Sequence, residues 1–264
     1  VTPPFGTYAP TGLQAALIKL ARNSGLHRGF YRPALNRLLN ALKSGPLDVT
    51  RDIGSYRLHY QDNLIEIGIL LHPTYNSREI EFCREAVADG GVFVDVGANI
   101  GLYSIAVAVQ APKATVLAIE PGPVALARLY PNIAASDVGS RVNVAECAIS
   151  DSERTGGLVF EHGDLAIARF EEGVEGGMVT RTLLSLLDEL NINEIGALKI
   201  DIEGREGEAL GPFFKSAPKS RWPKRIVIEH LHDDVWGADL FGQMFAGGYK
   251  EVGRTRQNSL LELS

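Results

Sequence analysis

The chain has 264 residues, 45% of them hydrophobic and 22% charged, with a formal net charge of −6. That supplies one full α/β core and leaves about 50–80 residues for an accessory segment, by the usual domain sizes. Two cysteines, Cys83 and Cys147, in apolar stretches exclude a disulfide framework and fit a reduced cytoplasm. No apolar run reaches the length of about 18 residues that a membrane span needs, and residues 1–10 lack the pattern of a signal peptide. The first residue is Val1, which leaves open a native start further upstream.

Residues 1–50 read as a basic helical arm and 51–264 as the main domain. The arm carries Lys19, Arg22, Arg28, Arg32, Arg37 and Lys43 against Asp48 alone, although the whole chain is acidic. Leu13, Ala16 and Leu20, then Leu35, Leu38, Leu39 and Leu42, recur at helical spacing, so two amphipathic helices are expected, broken around residues 25–29. Such stripes pack on the core or on a second copy in a homodimer; peripheral contact with an anionic lipid surface is the other use of a basic amphipathic arm. Nucleic acid is excluded as a partner, because no recognisable module is present and Phe30 and Tyr31 do not form a stacking series.

A strand over residues 55–60 and a helix over 78–88 precede the most informative stretch, Val92-Phe93-Val94-Asp95-Val96-Gly97-Ala98-Asn99-Ile100-Gly101. A β-branched run ends in an acid, and two glycines open an apolar helix over 102–109, as in a nucleotide-type cofactor loop. Gly97 and Gly101 are expected to let a ligand lie against the backbone. Asp95 would repel a pyrophosphate and attract a sulfonium, which favours S-adenosylmethionine (SAM) over NAD. Asn99 agrees, since the dinucleotide fingerprint wants glycine there. The next strand, 114–119, ends at Glu120, an acid placed to take both ribose hydroxyls.

Strands and helices then alternate: helix 124–135, strand 142–148, helix 183–190, strand 198–202, helix 206–214, strand 225–229 and helix 240–245, closing with an antiparallel pair at 249–253 and 260–263. A glycine-rich stretch, 156–177, reads as an inserted hairpin or flap. The fold class is α/β, a doubly wound, mostly parallel seven-stranded sheet with an N-terminal helical arm.

Asp95 to Gly101 match a D-V-G-A-N-x-G loop and Lys199 to Gly204 a K-x-D-x-E-G strand end. With Glu120-Pro121, Ala148-Ile149-Ser150-Asp151 and Ile228-Glu229-His230 in the same order, the chain resembles the FkbM-type methyltransferases from about Tyr56 onward. The resemblance implies a SAM-methyltransferase Rossmann-like sheet, SAM as cofactor and O-methylation of a hydroxyl on a sugar, glycolipid or secondary metabolite. One departure is Leu184, where the family often has an acid after Thr182-Leu183; Asp188 lies one helical turn further on.

Ligands bind outside the carboxyl ends of such strands. Asp95, Gly97, Ala98, Asn99, Gly101, Glu120 and Asp151 are therefore the candidate cofactor-binding residues. His230 is the candidate general base, with Asp201 and Glu203 as orienting or alternative bases. No metal ligands are assigned, although His230-Leu231-His232-Asp233-Asp234 faces Asp201 and Glu203 and is dense in donors. The acceptor is expected to be a small molecule or glycan. Two rivals are an NAD(P)-dependent oxidoreductase, which labelled cofactor binding distinguishes, and a non-catalytic SAM-fold interaction protein.

Overall fold

The computed structural model describes residues 3–61, 63–160, 168–172, 178–236 and 239–264. The arm forms two helices, α1 (Gly12–Arg22) and α2 (Arg32–Leu42). Thr11 caps α1 in a reciprocal box with Gln14. The buried face of α1 is Gln14, Ile18 and Ala21, whereas Leu13 and Leu20 are 69% and 56% exposed. The expected stripe is thus rotated. Both sets have helical spacing, and the choice falls to Gln14, whose amide is drawn inward to donate to the carbonyls of Leu39 and Lys43, each at 3.1 Å. On α2, Leu35 and Leu39 are buried while Leu38 and Leu42 stay exposed. Ile18, Ala21, Leu35 and Leu39 join one core cluster with Phe93 and Val116.

Strand β1 (Leu47–Arg51) pairs antiparallel with β2 (Gly54–Leu58), so this hairpin straddles the expected boundary at residue 50. The sequence pattern does not reveal β1 because its inward position is an acid. Asp48 is buried against Arg57 at 2.7 Å and also accepts the Gly6 and Tyr8 amides. The pattern likewise misses α3 (Leu64–Leu71), a short apolar run capped by Asn63. Helix α4 (Ser77–Ala86) follows.

The main sheet begins with β3 (Gly91–Val96), α5 (Leu102–Gln110), β4 (Ala114–Ile119), α6 (Pro123–Ala135) and β5 (Val142–Ala145). The expected third strand stops at Ala145. Residues Ala148–Ile149 instead form β6, which enters a separate four-stranded sheet with β7 (Arg154–Phe160), β8 (Ala168–Glu172) and β9 (Met178–Arg181). The expected flap accordingly contains an antiparallel β7/β8 hairpin, and its residues 161–167 and 173–177 lie outside the described residues.

The remaining elements are α7 (Leu183–Glu189), β10 (Ala197–Ile200), α8 (Glu206–Ser216), β11 (Arg225–Glu229), α9 (Leu240–Ala246), β12 (Tyr249–Arg254) and β13 (Asn258–Leu263). The seven-stranded order is β12-β13-β11-β10-β3-β4-β5, and β13 alone runs against its neighbours. Side chains alternate between the two covered faces, so Phe93, Val116 and Val227 join one cluster and Val94, Leu117 and Ile228 the other. Burial of both faces explains why the strands read as continuous apolar runs. Among the described residues, no helix is long and apolar enough to cross a membrane.

Candidate active site

The turn from β3 into α5 is built around two buried charges. Asp95 is fully buried; its Oδ2 accepts the Ser104 amide at 3.0 Å and the Ser104 hydroxyl at 2.6 Å. Its Oδ1 lies 3.5 Å from Nζ of Lys199, the neighbour in register on β10. Lys199 also donates to the Gly97 carbonyl at 2.9 Å and sits over the Tyr103 ring. Burial works against its charge, but Asp95, Asp201 and Glu120 outweigh that and raise its pKa. Asp95 therefore does not present a bare charge to a ligand. It holds the start of α5 and a cation that fixes the loop, while Lys199, noted in the sequence only within the strand-end motif, is a central residue of the site. The signal for it was a lysine inside an apolar parallel strand, which requires a buried partner.

The glycines are also explained by packing of the chain on itself. Gly97 has φ +77°, and a Cβ there would lie 2.2 Å from the Asp201 carbonyl oxygen. At Gly101, φ +93°, it would meet Leu129 at 2.6 Å. Their bareness lets the loop nest against the end of β10 and against α6. Asn99 adopts φ +51°, the left-handed region that asparagine tolerates. The amides of Gly97 and Ala98 both reach the Ile119 carbonyl, at 2.9 and 3.0 Å.

Glu120 closes the other side of the loop. Its two oxygens accept the Asn99 amide at 2.8 Å and the Gly122 amide at 2.7 Å. Burial raises the pKa of this carboxyl, and the two amides and Lys199 oppose the rise. Since a carboxylate offers about four lone-pair sites, further acceptor capacity remains for a ligand hydroxyl.

A second group of acids sits beyond β10 and β11. Glu203, Glu229 and His232 each offer a ligand atom within 4.8 Å of the others, as do Asp201, Glu206 and Glu229. Glu206 is already committed, accepting the Ile202 amide and the Trp236 indole N–H, both at 2.8 Å, and so joins the two strand-end segments. Gly207 permits this contact, because a Cβ there would meet the Trp236 carbonyl oxygen at 2.3 Å. Glu229 is 6% exposed, and its Oε2 has no hydrogen-bond partner among the described residues. Burial, then the charges of Asp201, Glu203 and Glu206, push its pKa to about 8. Glu203, at φ +56°, is also raised, by burial and then Asp201.

His230 is not part of this group. Its Nδ1 is 3.2 Å from the Ser259 hydroxyl, and after burial, which lowers its pKa, the charges that act on it are those of Arg254, Asp233 and Glu251. His230, just past the end of β11, meets Ser259 on β13 instead, while Glu229 lies within reach of Asp201. Asp151 lies at the start of the smaller sheet, where it accepts Ser152 at 2.7 Å and pairs with Arg154. Its neighbour Ser150 bonds Glu208 on α8 at 2.5 Å. The structure thus brings together Asp95, Gly97, Ala98, Asn99, Gly101 and Glu120 around the loop, with Asp201 and Glu203 beside them, and gives Asp151 and His230 other partners.

The family model described as "Methyltransferase FkbM domain" matches residues 95–250, which run from the Asp95 loop through both strand-end acid groups. Among curated proteins, the chain is 31% identical to the 31-O-demethyl-FK506 methyltransferase FkbM of Streptomyces tacrolimicus, with 54% of this chain and 66% of that protein covered. It is 29% identical to methyltransferase sdnD of Sordaria araneosa, over 52% of this chain and 64% of that protein. The matches therefore span somewhat less than two thirds of either relative. Among solved structures, a precorrin-6y C5,15-methyltransferase from Geobacter metallireducens superposes with a TM-score of 0.47 at 13% identity, covering 81% of this chain and 97% of that one. The chain belongs to the FkbM methyltransferase domain family.

Proposed function

We propose that the protein is a SAM-dependent methyltransferase that methylates a hydroxyl of a sugar, glycolipid or secondary metabolite. The observation that carries this reading is that the family segment's loop, Glu120 and the strand-end acids all lie at or just past the carboxyl ends of four neighbouring parallel strands, β3, β4, β10 and β11. The name of the relative from Streptomyces tacrolimicus, which refers to an O-demethyl substrate, supports oxygen as the methyl acceptor.

In this reading the loop from Gly97 to Gly101 and the Glu120 carboxylate hold the adenosyl part, with Glu120 receiving the ribose hydroxyls. Asp95 is balanced by Lys199, so attraction for the sulfonium comes from Asp201 and Glu203. Bound there, SAM would supply an activated methyl group that the acceptor oxygen takes as the sulfur–carbon bond breaks, with S-adenosylhomocysteine as the leaving group; the chain's own part would be to align the hydroxyl and to take its proton on a strand-end acid. Holding the reactants in line supplies about 7–11 kcal/mol of such a barrier, and a positioned base contributes about 10²–10⁴-fold. Asp201 and Glu203 are the proposed proton acceptors.

Calorimetry with S-adenosylhomocysteine and, separately, NADH tests the cofactor. Saturable binding of the first alone is the expected result; binding of NADH alone overturns the reading in favour of an oxidoreductase. Transfer of labelled methyl from SAM to a panel of hydroxylated glycans and metabolites then tests the acceptor class.

A further inference from the structure

We propose that Glu203, Glu229 and His232, with Asp201 at the rim, form a binding site for one divalent cation of the manganese class. Three donor atoms from two separate chain segments converge within 4.8 Å, and Asp201 brings a third acid to Glu229. Atoms bound to a common ion lie up to about 4.4 Å apart at metal–oxygen distances near 2.2 Å. Small rotations of Glu203 and His232 close that gap, and both side chains are exposed enough to make them, at 60% and 49%.

The independent observation is Glu229. The residue is more than nine-tenths buried, yet among the described residues Oε2 meets no donor, and no lysine or arginine among them pairs with Asp201, Glu203 or Glu229. Lys199, the adjacent buried cation, is committed to Asp95 and the Gly97 carbonyl. A buried acid among acids, left without a donor, is costly unless a cation meets it. Glu206 sets the geometry from behind by tying the Ile202 amide to Trp236, four residues after His232. Hard carboxylates with one imidazole suit manganese. The role of such an ion in lowering the pKa of an acceptor hydroxyl rests on the methyltransferase reading; its binding does not.

The test is titration of the EDTA-treated full chain with manganese chloride, with unbound metal read by electron paramagnetic resonance. One ion per chain is expected, with nitrogen modulation in the spin echo that disappears in His232→Ala. His232→Ala and Glu203→Gln, both at exposed side chains, weaken binding by about tenfold or more, the scale on which a metal site responds to loss of a contributing group. Glu229→Gln, checked for folding by thermal melt, does the same, whereas Glu81→Gln, in the surface pair with Arg84, matches wild type. Absence of saturable binding in the wild type, or binding unchanged in both His232→Ala and Glu203→Gln, overturns the site. Calorimetry with S-adenosylhomocysteine in EDTA separates the two claims. Cofactor binding without manganese binding sinks the cation site alone, and manganese binding without cofactor binding upholds it while sinking the methyltransferase reading.

Discussion

Asp95 with Lys199 and Glu229 with His232 occupy neighbouring strand ends and combine acids with a basic group, yet they are in opposite states. The first pair is closed: Ser104, the loop carbonyl and the Tyr103 ring surround the charges, and neither side chain is more than 5% exposed. The second group is open, with an orphan carboxylate oxygen and two solvent-reaching partners. Residue type alone therefore does not mark a ligand site. Among the described residues each acid keeps one buried oxygen without a hydrogen bond, Oδ1 of Asp95 and Oε2 of Glu229, so the difference is the cation: an acid paired with a buried lysine builds the scaffold, and one without such a pair is available to something else.

The contrast is broken most directly at Lys199. Lys199→Met leaves Asp95 buried without a cation, and a loss of about 3–5 kcal/mol in urea unfolding is expected. A loss below about 1 kcal/mol would show that Asp95 had remained satisfied without its partner. Next in size is Gly97→Ala. Its Cβ must displace the Asp201 carbonyl, so about 1–3 kcal/mol of stability is lost and S-adenosylhomocysteine binding declines with it. Unaltered melting and binding would mean that the loop does not nest on β10 as described.

Glu120 sharpens the comparison because it belongs to both states, bonded to two amides yet with acceptor capacity to spare. Glu120→Ala is expected to weaken S-adenosylhomocysteine by about ten- to a hundredfold in calorimetry. The same carboxyl has a pH signature. Burial raises its pKa in the fold, so its contribution to stability is complete below the ordinary carboxyl value of 4.5 and is lost as pH rises through the raised one. The stability difference between wild type and Glu120→Gln, followed by melting across that range, should change in this direction; a flat difference would place Glu120 in an environment like water. The smallest effect belongs to the open group, where Glu203→Gln and His232→Ala shift stability by no more than about 0.5 kcal/mol.

Local patterns carried much of this architecture. Strand 114–119 and strand 225–229 appear at the expected residues, and the loop was visible because a glycine pair between an apolar strand and an apolar helix has few other uses. What escaped had a tertiary cause. β1 was hidden by Asp48, a buried acid that Arg57, nine residues away, and the Gly6 and Tyr8 amides make acceptable. The stripe on α1 was misplaced by one face because two sets of residues share its period, and contact with α2 chose between them. His230 and Glu229 are adjacent in the chain, and the sequence favoured the imidazole on its chemistry, whereas the fold sets the imidazole against Ser259 and the carboxylate within reach of Asp201.

The sequence by itself determined the strand–helix alternation of the main sheet, the cofactor-type loop and the family, because these depend on local periodicity and on residue types at fixed spacing. Only the tertiary structure decided which acids are spent and which are available. Whether a carboxylate is neutralised depends on groups distant in the chain: Lys199 on β10 reaches Asp95 on the neighbouring strand β3, while among the described residues no lysine or arginine pairs with Glu229.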